Sequence, residues 1–269
     1  MTEAPPLRIA IFTLESLASN AAVKAFVEAH AAELVLIGGS KPYRAATGGA
    51  FGQFWRHLRR SGPRFLPYLV VNFVLPSLVA RLRERHGLPA MARAGGIALL
   101  EVEDVNGAAC HAALQAARPD VIVSFHFDQI FTLETLSLAR LGGLNIHPSL
   151  LPRHRGPIPT FWALQEAPGA TGISIHRIAA RIDAGEVLAQ RAHALPEGVS
   201  ASSAARLLHE AALPMIGDVL QALAAGKAEG AVAPILPYCG FPSAAEIGRA
   251  RRQGVRLVRW ADWRAALGL

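Results

Sequence analysis

Cysteine and targeting signals are both scarce in this sequence. Only Cys110 and Cys239 occur among the 269 residues, which excludes a disulfide framework and a Cys-x-x-Cys metal site. We predict that both are small, buried, apolar side chains. Residues 1–12 contain no charged segment followed by a long apolar one, and no run of 18 apolar residues occurs anywhere. These absences favour a cytoplasmic protein.

Nucleotide-binding signatures are missing too. The first apolar run, residues 7–12, is followed by TLESLASN, without a G-x-G-x-x-G motif, and the chain has no Walker-type G-K-[ST] motif. The pair Gly38-Gly39 is a weak signal by itself. NAD and ATP are therefore disfavoured as cofactors.

The sequence is rich in apolar residues and its charge is uneven. Hydrophobic residues make up 52%, enough for a sizeable core in one large domain. Of the net charge of +7, the segment from Arg56 to Arg85 contributes +6, with seven Arg against the single acid Glu84. A uniformly basic surface would indicate nucleic acid, whereas one basic segment indicates a local anionic partner. We therefore predict no nucleic-acid partner.

Short apolar runs alternate with helical patterns through the first half of the chain. This alternation predicts an α/β fold of Rossmann-like type, a mostly parallel sheet with helices on both faces. In such sheets, ligands bind beyond the carboxyl ends of the strands. The predicted strands are residues 7–12, 34–40, 96–102, 119–125 and 143–147. The predicted helices are residues 20–30, 106–117 and 133–139.

The pattern changes in the second half of the chain. Residues 171–178 and 185–195 predict an antiparallel strand pair around a loop that carries Asp183. Residues 200–226 predict one long helix capped by its first residue. The remaining tail predicts one helix and a strand at residues 255–260.

Residues 48–88 form an insertion of helical character. Its apolar core, residues 65–80, contains Pro67 and Pro76 and is flanked by Arg. We interpret it as too short and too interrupted for a spanning helix. Three interpretations remain open: a helical pair packed on the domain, an interface of a homodimer, or a peripheral membrane contact through residues 56–85, with Arg toward anionic lipid.

The stretch NIHPSLLPRHRG places polar side chains at the end of an apolar strand. Asn145 and His147 are two residues apart, so they point to the same side of that strand. Donors from both would stabilise an oxygen that becomes negative when an amine attacks an acyl carbon, worth roughly 3 kcal/mol each. Asp183 would favour the imidazolium form of His147 and take up the proton that the amine loses.

These residues and their surroundings resemble the 10-formyltetrahydrofolate-dependent formyltransferases. The resemblance lies in NIHPSLLPRHRGPIPTFWAL, then TGISIH, then IDAGEVLAQ, with Asp183 38 residues after Asn145. It extends over residues 7–226 and is dense over residues 97–190. It implies that Asn145, His147 and Asp183 are catalytic, that 10-formyltetrahydrofolate donates the formyl group, and that no metal takes part.

The resemblance also implies which residues hold the donor. One family loop holds the folate pterin by its backbone and apolar side chains, and it corresponds here to Gln129, Ile130 and Phe131. A second loop would close the other side of that pocket and corresponds to Ala180, Arg181 and Ile182. A cis peptide at Leu151-Pro152 would fix the exit from the strand. Residues 1–195 would form the catalytic domain, and residues 196–269 a long helix with a small accessory tail.

Departures from the family pattern bear on the acceptor. Of the Gly-rich phosphate loop in phosphoribosylglycinamide members, only Ser19-Asn20 remains, and the tail after residue 226 is too short for the C-terminal β-barrel of methionyl-tRNA members. The chain resembles instead the branch that formylates small amines, notably nucleotide-linked amino sugars. We expect a primary amine of a small molecule as acceptor. The alternatives are a 10-formyltetrahydrofolate hydrolase, a lipid-linked or amino-acid amine as acceptor, and a folate-binding or membrane-associated protein without catalysis.

Three further residues allow two interpretations each. His176 either supports Asp183 or packs in the core. Ser149 either contacts the acceptor or closes a local turn, and the turn is favoured. Arg155 either binds an acceptor phosphate in bidentate fashion or is a solvated loop cation.

Overall fold

A single mixed sheet organises the chain. The structure, a computed structural model, describes residues 6–40, 49–82, 87–166 and 170–269. Within these residues the sheet has seven strands. In chain order they are β1 (Ile9–Leu14), β2 (Leu34–Ser40), β3 (Ala98–Val102), β4 (Val121–Phe125), β5 (Gly143–His147), β6 (Gly172–Arg177) and β7 (Val187–Ala192).

The strands follow the spatial order β3-β2-β1-β4-β5-β6-β7. The first five in this order are parallel, and β6 and β7 run antiparallel to their neighbours. The central strands β1 and β4 are buried along their whole length, as expected for parallel strands covered on both faces. The predicted α/β fold with an antiparallel pair after the active-site loop is confirmed. The strand order reverses between β1 and β4, where sheets of this type bind their ligands.

Helices cover both faces of the sheet. Their bounds are α1 (Asn20–Ala29), α2 (Gly49–Ser61), α3 (Pro63–Leu82), α4 (Leu88–Gly95), α5 (Ala108–Ala117), the single turn α6 (Leu133–Leu136), α7 (Pro159–Ala163), α8 (Ala201–Ala211), α9 (Leu213–Ala224), α10 (Ala244–Arg252) and α11 (Trp260–Leu267). One apolar cluster joins the sheet to α1, α8 and α9. A second joins the opposite face to α5 and includes Cys110. Cys239 is only half-buried, contrary to the prediction, and both thiols are free.

The C-terminal part differs from the sequence prediction in two places. The expected single helix is two helices, because Pro214 stands at the start of α9, where its ring cannot continue the helix before it. The strand predicted at residues 255–260 is wrong. The carbonyls of Arg256 and Leu257 instead accept hydrogen bonds from the backbone N–H groups of Ala201 and Ser202, so this segment closes the first turn of α8.

The described part of the insertion, residues 49–82, forms a pair of helices packed on the domain, which is the first of the three interpretations; residues 48 and 83–86 lie outside the described residues. Helix α2 leads through Gly62 into α3, a continuous helix of 20 residues with a turn of π-helix at Val70–Val74. The prediction that this stretch is too short and too interrupted for a spanning helix is wrong as regards length and composition. By length and composition, α3 is the one helix among the described residues that could cross a membrane, and 28% of its most apolar stretch is buried.

A hydrogen bond from a distant loop explains how α3 tolerates a proline in its interior, and the Asn72 side chain anchors the same part of the helix. Pro76 has no N–H for the carbonyl of Asn72, four residues earlier. The backbone N–H of Leu17, in the loop after β1, donates to that carbonyl instead, at 3.0 Å. The buried side chain of Asn72 donates to the Tyr68 carbonyl at 2.9 Å and to Ser202 Oγ at 2.7 Å. The inner face of α3 is therefore tied to the loop after β1 and to α8.

Candidate active site

Two polar side chains from β5 and one from β6 lie on the same face of the sheet. Asn145 and His147 alternate with Ile146, which packs into the cluster under α1. Asn145 pairs directly with His176 across the antiparallel strands, and its Nδ2 lies 3.1 Å from His176 Nε2. His176 Nδ1 donates to the Arg177 carbonyl at 2.8 Å, so Nε2 accepts from the amide. His176 is thus part of the polar cluster rather than a packing residue alone.

Asp183 completes this cluster from the loop between β6 and β7. Its Oδ1 lies 3.4 Å from Asn145 Nδ2, 3.7 Å from His147 Nδ1 and 3.6 Å from His176 Nε2. Its Oδ2 accepts a hydrogen bond from the backbone N–H of Gly156 at 2.9 Å. Asp183 has a φ of 47°, a left-handed conformation that non-glycine residues adopt rarely, and Asp more often than most. The structure therefore brings together the three residues proposed from the sequence.

Burial and the nearby charged groups have opposite effects on the pKa values of Asp183 and His147. Burial alone would raise the pKa of Asp183, but His147, His176 and the Gly156 N–H outweigh it and lower that pKa to about 2. Burial lowers the pKa of His147, and Asp183 and the His154 carbonyl offset this only in part. The expectation that Asp183 holds His147 as an imidazolium is therefore corrected, since complete burial is the larger effect. At neutral pH the resting pair is a carboxylate beside a neutral imidazole.

The hydrogen bond of His147 defines which of its nitrogens is free to take up a proton. Its Nε2 lies 3.2 Å from the His154 carbonyl and donates to it. Its Nδ1 faces Asp183, so a proton added there would meet a carboxylate. The arrangement can take up one proton and stabilise it electrostatically.

His154 and Glu166 are two residues that sequence reasoning missed. His154 is buried with a φ of 54°, and its Nε2 lies 2.8 Å from Glu166 Oε1. Glu166 also pairs with Arg153 at 3.0 Å. Together they fix the backbone whose carbonyl orients His147. His154 belongs to the HRG motif in the sequence. Only the fold shows that its backbone carbonyl faces the site.

Arg155 holds the Asp183 loop by hydrogen bonds to its backbone carbonyls. Its Nε donates to the carbonyls of Ile182 at 3.0 Å and Asp183 at 3.1 Å, its Nη2 also contacts the Ile182 carbonyl, and its Nη1 donates to the Leu236 carbonyl at 2.8 Å. The side chain is buried. Both sequence interpretations of Arg155 are corrected, since it is neither solvated nor directed at an acceptor phosphate.

The C-terminal tail forms one wall of the site, which the sequence did not suggest. The backbone N–H of Cys239 donates to the Arg155 carbonyl at 2.7 Å. A side chain at Gly156, whose φ is 131°, would meet the Cys239 carbonyl at 2.1 Å. Burial and the nearby Asp183 carboxylate raise the pKa of Tyr238. The glycine of the HRG motif is therefore needed for close approach of two backbone segments.

Ser149 and the cis peptide belong to the turn that leaves β5. The Ser149 hydroxyl is buried and donates to the Arg153 carbonyl at 3.0 Å, which agrees with the favoured turn and not with an acceptor contact. The peptide bond Leu151-Pro152 is cis, as predicted.

The loop after β4 is fixed by polar side chains. Gln129 accepts from the Val105 N–H at 2.9 Å and donates to Ser40 Oγ at 3.0 Å, which ties the loop to the ends of β2 and β3. Phe131 is buried against Phe12, at 5.3 Å between ring centroids. The side chain of Ile130 remains 58% exposed. Of the three residues predicted to hold the donor, Ile130 is thus the one with a free apolar surface.

The second predicted donor loop is more open. Ala180 and Arg181 are exposed, and Ile182 is 36% exposed while its carbonyl is held by Arg155. The two loops therefore each present one accessible isoleucine, Ile130 and Ile182. Among the described residues, no group of three or more His, Cys, Asp or Glu side chains is placed to hold a metal ion.

Two histidines adjoin the site and were not noticed in the sequence, His209, which is buried, and His126, which is half-buried. His126 has a φ of 45° and lies 2.7 Å, through Nδ1, from Ser16 Oγ, while Phe73 of α3 stacks on its ring at 6.0 Å between centroids. His209 lies 6.2 Å from His126 between ring centroids. Burial lowers the pKa of His126 to about 4 and that of His209 to about 3. Both rings are therefore neutral at physiological pH.

Comparison with known sequences gives a family match over the site. A family model described as "Formyl transferase" matches residues 81–220, which include all three residues of the proposed catalytic trio. The chain is similar to a methionyl-tRNA formyltransferase of Anaeromyxobacter dehalogenans (strain 2CP-C), with 34% identity over 171 residues. That alignment covers 64% of this chain and 53% of the relative, so the chain spans about half the length of the relative it matches.

Comparison with solved structures shows the same fold. A phosphoribosylglycinamide formyltransferase from Anaplasma phagocytophilum superimposes with a TM-score of 0.58 at 16% identity, covering 88% of this chain and 100% of the other. A sugar N-formyltransferase from Shewanella sp. FDAARGOS_354 gives a TM-score of 0.54 at 17% identity, covering 87% of this chain and 76% of the other.

Proposed function

The chain belongs to the formyl transferase family, and from this premise we propose that it transfers the formyl group of 10-formyltetrahydrofolate to a primary amine of a small molecule. The observation that carries the proposal is the convergence of three side chains on one point. Asp183 Oδ1 lies within 3.7 Å of both Asn145 Nδ2 and His147 Nδ1. An amide donor, an imidazole and a carboxylate in this arrangement supply what amine attack on a formyl group requires.

The reaction requires three contributions from these side chains: stabilisation of the negative oxygen, transfer of a proton and stabilisation of the protonated histidine. The amine nitrogen bonds to the formyl carbon while the bond from that carbon to N10 of the folate breaks, and the formyl oxygen carries negative charge in between. Asn145 donates to that oxygen. Neutral His147 takes the proton that the amine loses and returns it to N10. Asp183 stabilises the imidazolium formed in passing.

This division of roles departs from two expectations, that His147 donates to the negative oxygen and that Asp183 accepts the proton itself. A carboxyl group whose pKa is about 2 is a weak base, whereas a histidine whose pKa lies below its ordinary value is neutral and ready to accept. The pair would therefore act together, with Asp183 as the group that positions and stabilises His147.

The donor would bind against the two loops beside the trio. The exposed side chains of Ile130 and Ile182 supply apolar contact for a pterin ring, and the fixed backbone around Gln129 supplies donors and acceptors for its polar edge. Both free thiols fit an enzyme of the reducing cytoplasm. We place it there.

A small amine is favoured over tRNA as acceptor because the basic residues are concentrated in one segment. The chain outside Arg56 to Arg85 carries a net charge of only about +1, the difference between +7 and +6. Binding of tRNA depends on phosphate contacts spread over a wide surface. Among small amines, nucleotide-linked amino sugars are the first candidates.

An acceptor screen tests the proposal. Purified protein is mixed with 10-formyltetrahydrofolate and, separately, with nucleotide-linked amino sugars, amino acids, lipid-linked amines in detergent and methionyl-tRNA, and products are identified by mass spectrometry. We expect a formylated small amine and an equal amount of tetrahydrofolate. Formylation of methionyl-tRNA alone would refute the acceptor class, and formate without any formylated amine would identify a hydrolase.

A further inference from the structure

The outer face of α3 carries an apolar strip that no part of the described chain covers. Val74, Leu78 and Leu82 follow one another at intervals of four residues and are 43%, 48% and 74% exposed. Residues four apart lie on the same side of a helix, so the three side chains form a continuous strip. Val70, four residues before Val74, is also partly exposed.

Arginines are the only residues among Asp, Glu, Lys and Arg that occur in α2 and α3. Residues 49–82 contain no Asp or Glu, and their five arginines are all exposed: Arg56, Arg59, Arg60, Arg64 and Arg81. Helix α2 adds two exposed aromatic side chains, Phe54 at 42% and Trp55 at 50%. An exposed apolar strip, together with exposed tryptophan and arginine in the same helical pair, has the composition of a segment that lies in a lipid headgroup layer.

We propose that the exposed faces of α2 and α3 form a docking surface for an anionic lipid bilayer. The strip of Val74, Leu78 and Leu82 would enter the region between headgroups and acyl chains, while the arginines contact lipid phosphates. This surface is independent of the proposed reaction, since none of its residues belongs to the trio or to the two donor loops.

The buried face of α3 decides between lying on a membrane and crossing it. Phe65, Tyr68, Val71, Asn72 and Pro76 are buried in the domain. Crossing would strip α3 from α8 and from the loop after β1, leaving Ser202 and the Leu17 N–H without the partners they have here. The fixed inner face thus leaves only the outer face for lipid, which corresponds to peripheral binding.

The composition of this surface argues against two other partners, a second copy of the chain and RNA. A two-fold contact with a second copy would bring its five arginines opposite five more, with no acid in residues 49–82 to pair with them. RNA phosphates would pair with the arginines, but they make no use of an exposed strip of valine and leucine. An anionic bilayer is the partner that matches both parts of the surface.

Co-sedimentation with vesicles tests the proposal. The full chain is mixed with vesicles of phosphatidylcholine alone or with about a third phosphatidylglycerol, a composition that gives a strong negative surface potential. We expect binding to the anionic vesicles only, and weaker binding as salt increases. Equal binding to both vesicle types, or none to either, would overturn the proposal.

Matched variants locate the surface. Val74→Glu/Leu78→Glu removes the strip, and Arg59→Glu/Arg64→Glu reverses two charges; each should reduce bound protein about tenfold or more. The controls are Val232→Glu, at a residue 85% exposed elsewhere, and Arg191→Glu/Lys227→Glu, at exposed residues outside the surface. Both controls should bind as the unaltered protein does. Circular dichroism and thermal melting of every variant establish that it is folded.

The same variants separate lipid from RNA and from self-association. RNA binding that depends on Arg59 and Arg64 but not on Val74 and Leu78, without vesicle binding, would show a nucleic-acid surface and refute the proposal. So would a dimer in light scattering that Val74→Glu/Leu78→Glu dissociates, if the unaltered protein does not bind vesicles.

Discussion

Asn145, His147 and Asp183 are unequal partners at the scale of single residues. Asn145 donates to two groups at once, His176 and Asp183, and substrate binding would replace one of these bonds. His147 and Asp183 differ in protonation because burial has the larger effect on the pKa of His147, whereas His147, His176 and the Gly156 N–H together outweigh burial at Asp183. Replacing each residue should therefore have a distinct effect on the reaction.

The first prediction concerns the proton-transfer pair. His147→Ala should lower kcat by about 10³-fold, since it removes the group that accepts the proton, and Asp183→Asn should lower it by about 10²-fold or more. Because the two act together, the double variant should lose little more than His147→Ala alone. Steady-state kinetics with folding checked by circular dichroism measures this. Multiplied effects in the double variant would show that the residues act separately.

The second prediction concerns pH and the buried His209. Its pKa is lowered to about 3 in the folded protein, so the unfolded chain binds the additional proton once pH falls below the ordinary value of 6.5. The stability due to this group is present above pH 6.5 and is lost as pH falls toward 3. His209→Gln should reduce the slope of unfolding free energy against pH by about 1.4 kcal/mol per pH unit between pH 6 and pH 4.

Denaturant titrations at several pH values measure that slope. Glutamine retains a donor for the Ala205 carbonyl that His209 Nδ1 now contacts at 2.8 Å, so the comparison isolates the ionisation. An unchanged slope in His209→Gln would contradict the assignment of a neutral buried ring.

At the scale of elements, the Asp183 loop depends on a clamp from the loop after β5. Arg155 donates to the carbonyls of Ile182, Asp183 and Leu236 and so joins two loops and the C-terminal tail. The third prediction is that Arg155→Ala lowers kcat about 10²-fold by loosening Asp183, with the sheet intact. Arg155→Lys should fail to restore it because a single ammonium cannot reproduce the planar guanidinium contacts. Wild-type kinetics in Arg155→Lys would refute the clamp.

The π-helical turn of α3 is the second element with a testable anchor. Asn72→Ala should lower the free energy of unfolding by about 1–3 kcal/mol, since it leaves the buried Ser202 hydroxyl and the Tyr68 carbonyl without this donor. Ser77→Ala is the matched control, because its half-buried hydroxyl donates to the Phe73 carbonyl within its own helix and so ties α3 to no other described element. Thermal or denaturant unfolding of both variants makes the comparison. Equal stability of the two would contradict the anchoring role.

Periodicity and spacing were sufficient to predict the sheet and to predict that Asn145, His147 and Asp183 lie together. The buried runs of β1 and β4 and the alternation in β5 are local properties of the sequence, and so is the position of Asp183 on a hairpin loop. The clamp by Arg155, the carbonyl of His154 and the wall around Cys239 were not predictable. Each depends on contacts between segments distant in sequence, and the residue types involved are equally common in solvated loops.

The same distinction explains two errors of the sequence prediction, the strand at residues 255–260 and the length of α3. Residues 255–260 alternate as a strand does, but no strand of the described residues lies beside them. The carbonyls of this segment bond to the start of α8 instead. The length of α3 was misjudged because proline is read as an interruption. The Leu17 N–H that satisfies the Asn72 carbonyl comes from a distant loop.

At the scale of the whole molecule, the proposed catalytic site and the basic, apolar surface occupy separate places. The trio and the donor loops belong to the sheet and to the connections after β4, β5 and β6. The basic, apolar surface belongs to α2 and α3, which the chain inserts between β2 and α4. Helix α3 nevertheless contacts the neighbourhood of the site, since Phe73 stacks on His126.

The central claim is formyl transfer through the trio, and the fate of a labelled formyl group tests it most directly. 10-Formyltetrahydrofolate labelled in the formyl carbon is incubated with the protein and the best acceptor from the screen, and label is counted in the amine and in formate. We predict label in the amine, equal to the tetrahydrofolate formed, and almost none with His147→Ala. Label in formate alone, or equal transfer by His147→Ala, would contradict the account.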